Sequence, residues 1–213
     1  QATATQRPSF IWEPSIFIKL DQDGIMTFTA FRSEMGQGIR TALALLAADE
    51  MDIPWSSVRI IQADADPAYG NQMTGGSASI SGHQDIMRLA GAKTRQLLVE
   101  AAAQIWGVDY KGCTTDTGYV IHPDGAQKLS YGELAEPASK VKMLGRVKTK
   151  EPEAFDLIGK GMGHWDAQKI ITGKAVFGLD MRLPGMLFAA IARCPVFDGT
   201  VATYDDVDAR KVN

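Results

Sequence analysis

The stretch "RSEMGQGIRTALALLAADEMDIPWSSVRIIQADADPAYGNQMTGGSAS" occupies Arg32–Ser79 and decides how the rest of the chain is read. Two glycine turns, "MGQG" and "TGGSAS", each precede a run that favours helix. Glycine lets a backbone come close to a ligand. A helix that starts after such a turn offers unpaired N–H groups to an anion. The pattern lacks the third glycine and the strand–loop–helix spacing of the dinucleotide fingerprint. It also lacks the Gly-Lys-Ser/Thr of a Walker loop. A plain alternative is two turns into helices, with Ser77 or Ser79 as helix caps. Two such loops together favour a shared, phosphate-rich ligand. The serine hydroxyls and the Gln37 amide add the neutral donors and acceptors that a pterin or nucleobase edge requires.

Around this stretch the local signals are mixed helix and strand. Phe17–Leu20 and Ile25–Ala30 flank "DQDG", the mark of a hairpin. Ile39–Met51 is a predicted helix with Ile39, Leu43, Leu46 and Ala47 on one face, ended before Pro54. Val58–Gln62 is a short strand, followed by a polar loop over Asp64–Gly76. From Ser77 to Trp106 runs the longest helical pattern. Ile86, Leu89, Leu97, Ala101 and Ile105 form its apolar side, and Gly107 stands beyond its end. Gly118–His122 is a strand and "PDGAQ" a turn. Ser130 and Glu133 have the capping-box spacing. Val141–Pro152 is a charged connector. From about Asp156 the texture changes to β runs, with Met186–Arg193 apolar enough for a buried strand. "VDARKVN" reads as a helix beginning. The expected fold is therefore α+β, with one domain over 1–155 and the start of a second over 156–213, as in one segment of a longer polypeptide.

The chain has 213 residues, 45% hydrophobic and 22% charged, with a net charge of −3. The acidic balance, with pI near 5.6, argues against a nucleic-acid partner. No apolar run reaches the roughly 20 residues that cross a bilayer. The opening "QATATQRPSFIWEPSIFIKL" reads as a mature or trimmed N-terminus, not a signal peptide. Cys113 and Cys194 are far apart in sequence and are expected to be free, with a disulfide between them as the alternative. They form no Cys-x-x-Cys or Cys/His cluster, so no protein-ligated zinc or iron–sulfur site is expected. His83, His122 and His164 are read as surface or hydrogen-bonding residues.

The block "EMGQGIRTALALLAADEMDIPWSSVRIIQADADPAYGNQMTGGSAS" resembles the molybdenum-binding large subunit of the xanthine dehydrogenase/aldehyde oxidase family. The likeness is greatest to the branch of the isoquinoline 1-oxidoreductase beta subunit and related membrane-associated aldehyde dehydrogenases. It continues through "LSYGELAE", "FDLIGK" and "DAQKIITGKAVFGLDMRLPGMLFAAIARCPVFDGTV". The resemblance implies part of a molybdopterin-binding domain followed by an incomplete α/β hammerhead domain. It implies that Met35, Gly36, Gln37 and Gly38 lie against a molybdopterin cytosine dinucleotide. Thr74, Gly75, Gly76, Ser77, Ala78 and Ser79 would form a second wall. Relatives often carry arginine within the Gly-Ser-x-Ser segment, where this chain has Ala78, which leaves backbone and hydroxyl contacts there.

The implied chemistry is oxidation of an aldehyde or N-heteroaromatic with oxygen from water. Electrons would leave through [2Fe–2S] clusters on a partner subunit, in some relatives toward a cytochrome c subunit. The base glutamate of the family falls outside this segment, so none of Glu34, Glu50 or Glu133 takes that role. The segment alone is then inactive and needs the remainder of the large subunit. Arg193, Cys194, Pro195 and Phe197 either approach a substrate channel or simply end a strand. The implied location is the periplasm or the outer face of a membrane, with the cytoplasm as the alternative. Two other functions compete: a module that binds a nucleotide-like ligand without redox chemistry, and a non-catalytic assembly fragment.

Overall fold

The computed structural model describes residues 10–211. The chain divides into two compact units, Gln1–Thr172 and Gly173–Asn213. The first unit holds the strands found among the described residues. Strands β1 (Ile11–Ser15), β2 (Ile18–Asp21) and β3 (Met26–Ala30) form an antiparallel meander. Helix α1 (Ile39–Glu50) then carries the chain across to β4 (Val58–Gln62), which pairs with β3 in parallel. The expected hairpin closes at "DQDG" because the Asp21 carboxylate accepts from Asp23 N at 3.0 Å and Ile25 N at 2.9 Å. Gly24 takes the φ of 75° that the turn needs. Strand β1 has no sequence expectation behind it. Pro14 cannot donate to a ladder, and the strand survives because it is the sheet edge.

Alternation sets the core. Ile18, Leu20, Met26 and Phe28 are fully buried on one sheet face. Helix α1 packs over β3 and β4 through Leu43, Ala44, Ala47 and Ala48, all fully buried. A second antiparallel sheet is built from β5 (Thr114–Asp116), β6 (Tyr119–Ile121) and β7 (Lys128–Ser130). Past a four-residue helix, α2 (Ala78–Ser81), comes the long α3 (Gln84–Trp106), and after the second sheet comes α4 (Tyr131–Ser139). Helix α4 packs over β1 and β2, and α3 lies against both α1 and α4. The capping box at the start of α4 is formed: Glu133 N donates to Ser130 Oγ at 3.2 Å, and Ser130 N to Glu133 Oε2 at 2.8 Å.

Three sequence expectations change. The helix expected from Ser77 to Trp106 is broken into α2 and α3, with Gly82 and His83 between them. Its buried face is only partly the expected one: Ala101 is buried and Leu97 half-buried against the core, but Ile86, Leu89 and Ile105 are exposed, and Met87, Gly91, Ala92, Thr94 and Leu98 are buried. The reason is steric. A Cβ on Gly91 would lie 2.3 Å from Ala47 O, so the small-residue side of α3 is what allows close approach to α1. Third, Met186–Arg193 is exposed and lies in no strand. A strand needs a neighbour for its N–H and C=O groups, and the described residues of the second unit supply none. Among those residues regular structure is limited to turns of 3-10 helix at Gly178–Asp180 and Ala209–Lys211, the latter where a helix was read to begin. Both cysteines are free.

Residues beyond the change of texture at Asp156 still pack within the first unit. Asp49, at the C-terminal end of α1, accepts from Leu157 N at 2.9 Å and Ile158 N at 2.7 Å. Trp165 N donates to Thr41 Oγ1 at 2.9 Å, and the Trp165 ring meets Trp55 edge-on at 5.7 Å. The short helix α5 (Ala167–Ile171) ends this unit.

Candidate functional site

The two glycine loops meet across one cleft. Its volume is about 340 Å³, and its walls are Met35, Gln37, Gly38, Ile39 and Ala42 on one side, with Thr74, Gly75, Ser77, Ser79 and Ile80 on the other. Seven of these are residues singled out from the sequence. Gly36, Gly76 and Ala78 belong to the same loops but do not line the cleft. Larger clefts beside Gly132, around Lys111 and around Trp55 contain neither glycine loop.

The anion at the N-terminus of α1 is the chain's own Glu34. Its Oε1 accepts from Gly36 N at 2.8 Å and Gly38 N at 2.9 Å, and its Oε2 accepts from Arg40 N at 3.1 Å. Gly36 and Gly38 have φ of 95° and 84°, so both glycines are required to turn their amides toward one carboxylate. Burial acts to raise the Glu34 pKa. The amides of Gly38, Arg40 and Gly36 and the His164 ring outweigh it and hold the carboxyl below its ordinary value. His164 Nδ1 accepts from Asp166 N at 3.0 Å, which puts the hydrogen of the neutral ring on Nε2. That nitrogen is buried and 3.4 Å from Glu34 Oε1. Asp166 also pairs with Arg40 at 3.1 Å. Gln37 is half committed: its Oε1 accepts from Met35 N at 2.7 Å and its Nε2 donates to Ser33 O at 3.2 Å. One hydrogen and one lone pair of that amide remain for a ligand.

The second loop is held from beneath by Arg32, a 1% exposed guanidinium that donates to Asn71 O at 2.5 Å and Ser79 Oγ at 3.2 Å. Thr74 Oγ1 donates to Ser33 O at 2.9 Å and ties the two loops together. Ser77, at φ 54°, makes no side-chain cap, and Ser79 accepts from Arg32 instead of capping. The serine-cap alternative is thus not what these hydroxyls do. A Cβ added at Gly75 or Gly76 would meet nothing within 4 Å, so this backbone is uncrowded. Among the described residues, no backbone carbonyl accepts from the N–H groups of Gly76 and Ser77. Arg32, Glu34 and His164 were not singled out from the sequence as parts of this site. An acidic residue just before a helix start was the one available signal for Glu34.

Among the described residues, no group of three or more His, Cys, Asp or Glu side chains could hold a metal ion directly. No described helix is long and apolar enough to cross a membrane. Arg193, Cys194, Pro195 and Phe197 lie in the second unit and are exposed.

Residues 3–171 match the model of the molybdopterin cofactor-binding domain. The chain belongs to that family. Its relatives include the isoquinoline 1-oxidoreductase beta subunit of Brevundimonas diminuta, 32% identical over 99% of this chain and 32% of that protein. The membrane-bound aldehyde dehydrogenase (pyrroloquinoline-quinone) of Gluconacetobacter polyoxogenes is 33% identical, over 94% of this chain and 27% of its own length. A nicotinate dehydrogenase subunit of Pseudomonas putida is 29% identical over 86% of this chain and 15% of its own. The chain therefore spans about a third or less of the relatives it matches. Among solved structures, the Cu,Mo-CO dehydrogenase aligns with a TM-score of 0.49 and 23% identity, covering 55% of this chain and 15% of that one. The family match supports the α+β reading of the molybdopterin-binding part and a molybdenum cofactor as its ligand.

Proposed function

We propose that this chain is the part of a molybdenum hydroxylase large subunit that forms one wall of its cofactor site, in an enzyme oxidising an aldehyde or N-heteroaromatic substrate. The observation that carries it is the convergence of the two glycine loops on one cleft inside the region matched to the cofactor-binding family. The residues fit the group in two ways. Gly75 and Gly76 leave their backbone open, and Gly76 and Ser77 offer N–H groups to phosphate oxygens. Met35, Gln37 and Gly38 offer an apolar side chain, half of an amide and a bare Cα to a flat, neutral edge. When bound, the cofactor supplies the two-electron redox chemistry at its metal, and this chain's residues bind and orient it.

The finer reading follows the resemblance. The cofactor is the cytosine dinucleotide form, held by Met35, Gly36, Gln37 and Gly38 with Thr74, Gly75, Gly76, Ser77, Ala78 and Ser79. The base glutamate comes from the remainder of the large subunit. A [2Fe–2S] subunit and a cytochrome c take the electrons, in the periplasm or at the outer face of a membrane. The sequence from about Asp156 leads toward the hammerhead domain.

Gly75→Val in the full polypeptide tests the site. Gly75 has ordinary φ and open space around it, so valine adds bulk to the cleft without backbone strain. Gly38→Val is a poorer test, since φ of 84° strains any side chain. The expected result is an unchanged melting temperature with loss of molybdenum and of cytidine monophosphate released by acid. Full loading with normal activity would overturn the reading. Release of a nucleotide without molybdenum would favour a nucleotide-binding module.

A further inference from the structure

We infer that Glu34 is the built-in anion of the first glycine loop: it positions the loop and denies its N–H groups to the phosphates of any ligand. The sequence invites the opposite reading, in which Gly36 and Gly38 greet a phosphate at the start of α1. In the structure those two amides and that of Arg40 already converge on the two oxygens of one carboxylate, at 2.8 to 3.1 Å. The fold backs this carboxylate from the other side. His164 Nε2 lies 3.4 Å from Oε1, and Arg40, with Asp166 as its partner, closes the helix start. A phosphate at this point would meet like charge, and the three amides turned toward it are already taken by Glu34. Phosphate recognition then falls to the Gly75–Ser77 wall, and the first loop meets only neutral parts of a ligand. That consequence rests on the cofactor-site reading above; the Glu34 clamp does not. Glu34 is a positioning residue, acting through loop shape and charge.

Residue-resolved amide hydrogen exchange on the chain, with inorganic pyrophosphate as the probe, tests both parts. In the native chain, exchange at Gly36, Gly38 and Arg40 should be slow and unaffected by pyrophosphate, while Gly76 and Ser77 slow down when it is added. In Glu34→Gln the three clamped amides should exchange about tenfold faster or more, the factor expected for losing bonds to a charged acceptor. Pyrophosphate should then slow them again, since the helix start has lost its own anion. Pyrophosphate protection of Gly36 and Gly38 in the native chain would overturn the inference, and so would unchanged exchange at those amides in Glu34→Gln. Should the clamp behave as expected while Gly76 and Ser77 ignore pyrophosphate, the inference stands and the cofactor-wall reading falls.

Discussion

A carboxylate at the C-terminal end of a helix faces the negative end of the helix dipole, yet Asp49 and Glu50 both sit there, 1% and 0% exposed. Dedicated partners offset the cost. Glu50 accepts from Arg88 Nε at 2.8 Å and Lys150 N at 2.9 Å. Asp49 accepts from Leu157 N and Ile158 N and pairs with Lys150 Nζ at 3.0 Å. Lys150 also pairs with Asp52. Asp49→Asn leaves Lys150 short of a charge and weakens its hold on residues 156–158. Because Lys150 keeps Asp52 as a partner, the expected loss by urea unfolding is about 1–3 kcal/mol, the range for leaving buried groups short of one hydrogen-bond partner. Burial acts to raise the Asp49 pKa, but the amides of Ile158 and Leu157 and the Lys150 charge outweigh it, so the carboxyl titrates below its ordinary value. Its contribution is full above the unfolded value near 4 and is lost as pH falls through the lower folded value. Lys150 behaves in mirror image: burial opposes, Asp52 and Asp49 prevail, and its raised pKa keeps its contribution until pH climbs through that folded value. The acid limb of the urea midpoint should therefore be shallower in Asp49→Asn than in the native chain. An identical acid limb would contradict this assignment.

At the scale of elements, the contact between α1 and α3 decides the packing of the helical layer. Gly91→Ala sets two effects against each other. Alanine raises helix propensity by about 1 kcal/mol. The new methyl, however, would lie 2.3 Å from the Ala47 carbonyl oxygen, a backbone atom that cannot rotate away. Overpacking of this kind costs about 1–3 kcal/mol, so the net change is expected to destabilise. A melt showing Gly91→Ala as stable as the native chain would mean that α1 and α3 sit further apart. The serines beside the cleft differ in the same quantitative way. Ser79→Ala removes an acceptor from the buried Arg32 guanidinium and should cost about 1–3 kcal/mol. Ser77 is exposed and makes no cap, so Ser77→Ala should change stability by less than about 0.5 kcal/mol. Loss of bound molybdenum in Ser77→Ala without a stability change would single out that hydroxyl as a ligand contact.

At the scale of the molecule, the two units differ in kind. The first buries an apolar core across its sheets and helices, whereas the second exposes Leu179, Leu187, Phe197 and Val201, each at least 80% accessible. Limited proteolysis should therefore cut within 173–211 well before 10–172, because exposed backbone without ladders opens at low free energy. Equal resistance of both units would contradict this. In the proposed enzyme, the same apolar side chains are expected to gain protection when the remainder of the large subunit is present.

Much of the first unit is legible in the residues themselves, wherever the deciding interaction is local. Asp21 and Gly24 close the hairpin within one turn, alanine and leucine carry α1, Gly107 stops α3 at φ 70°, and Ser130 with Glu133 starts α4. The two glycine loops and the family they belong to are equally a matter of sequence. What sequence could not supply are choices made between distant residues. Periodicity placed Ile86, Leu89 and Ile105 inward along with Leu97 and Ala101, but the close approach of Ala47 to Gly91 buries the small-residue side, and only Leu97 and Ala101 of that set reach the core. Arg32 and Ser79 stand 47 residues apart, and Trp165 and Thr41 stand 124 apart, yet each pair shapes the cleft or the helix beside it. Glu34 is only two residues from Gly36, but its role depends on the backbone turning three amides toward it. Local propensity fixes where helices and turns begin. Which charge fills a helix start, and which face is buried, is settled only when the folded chain sets desolvation against the partners within reach.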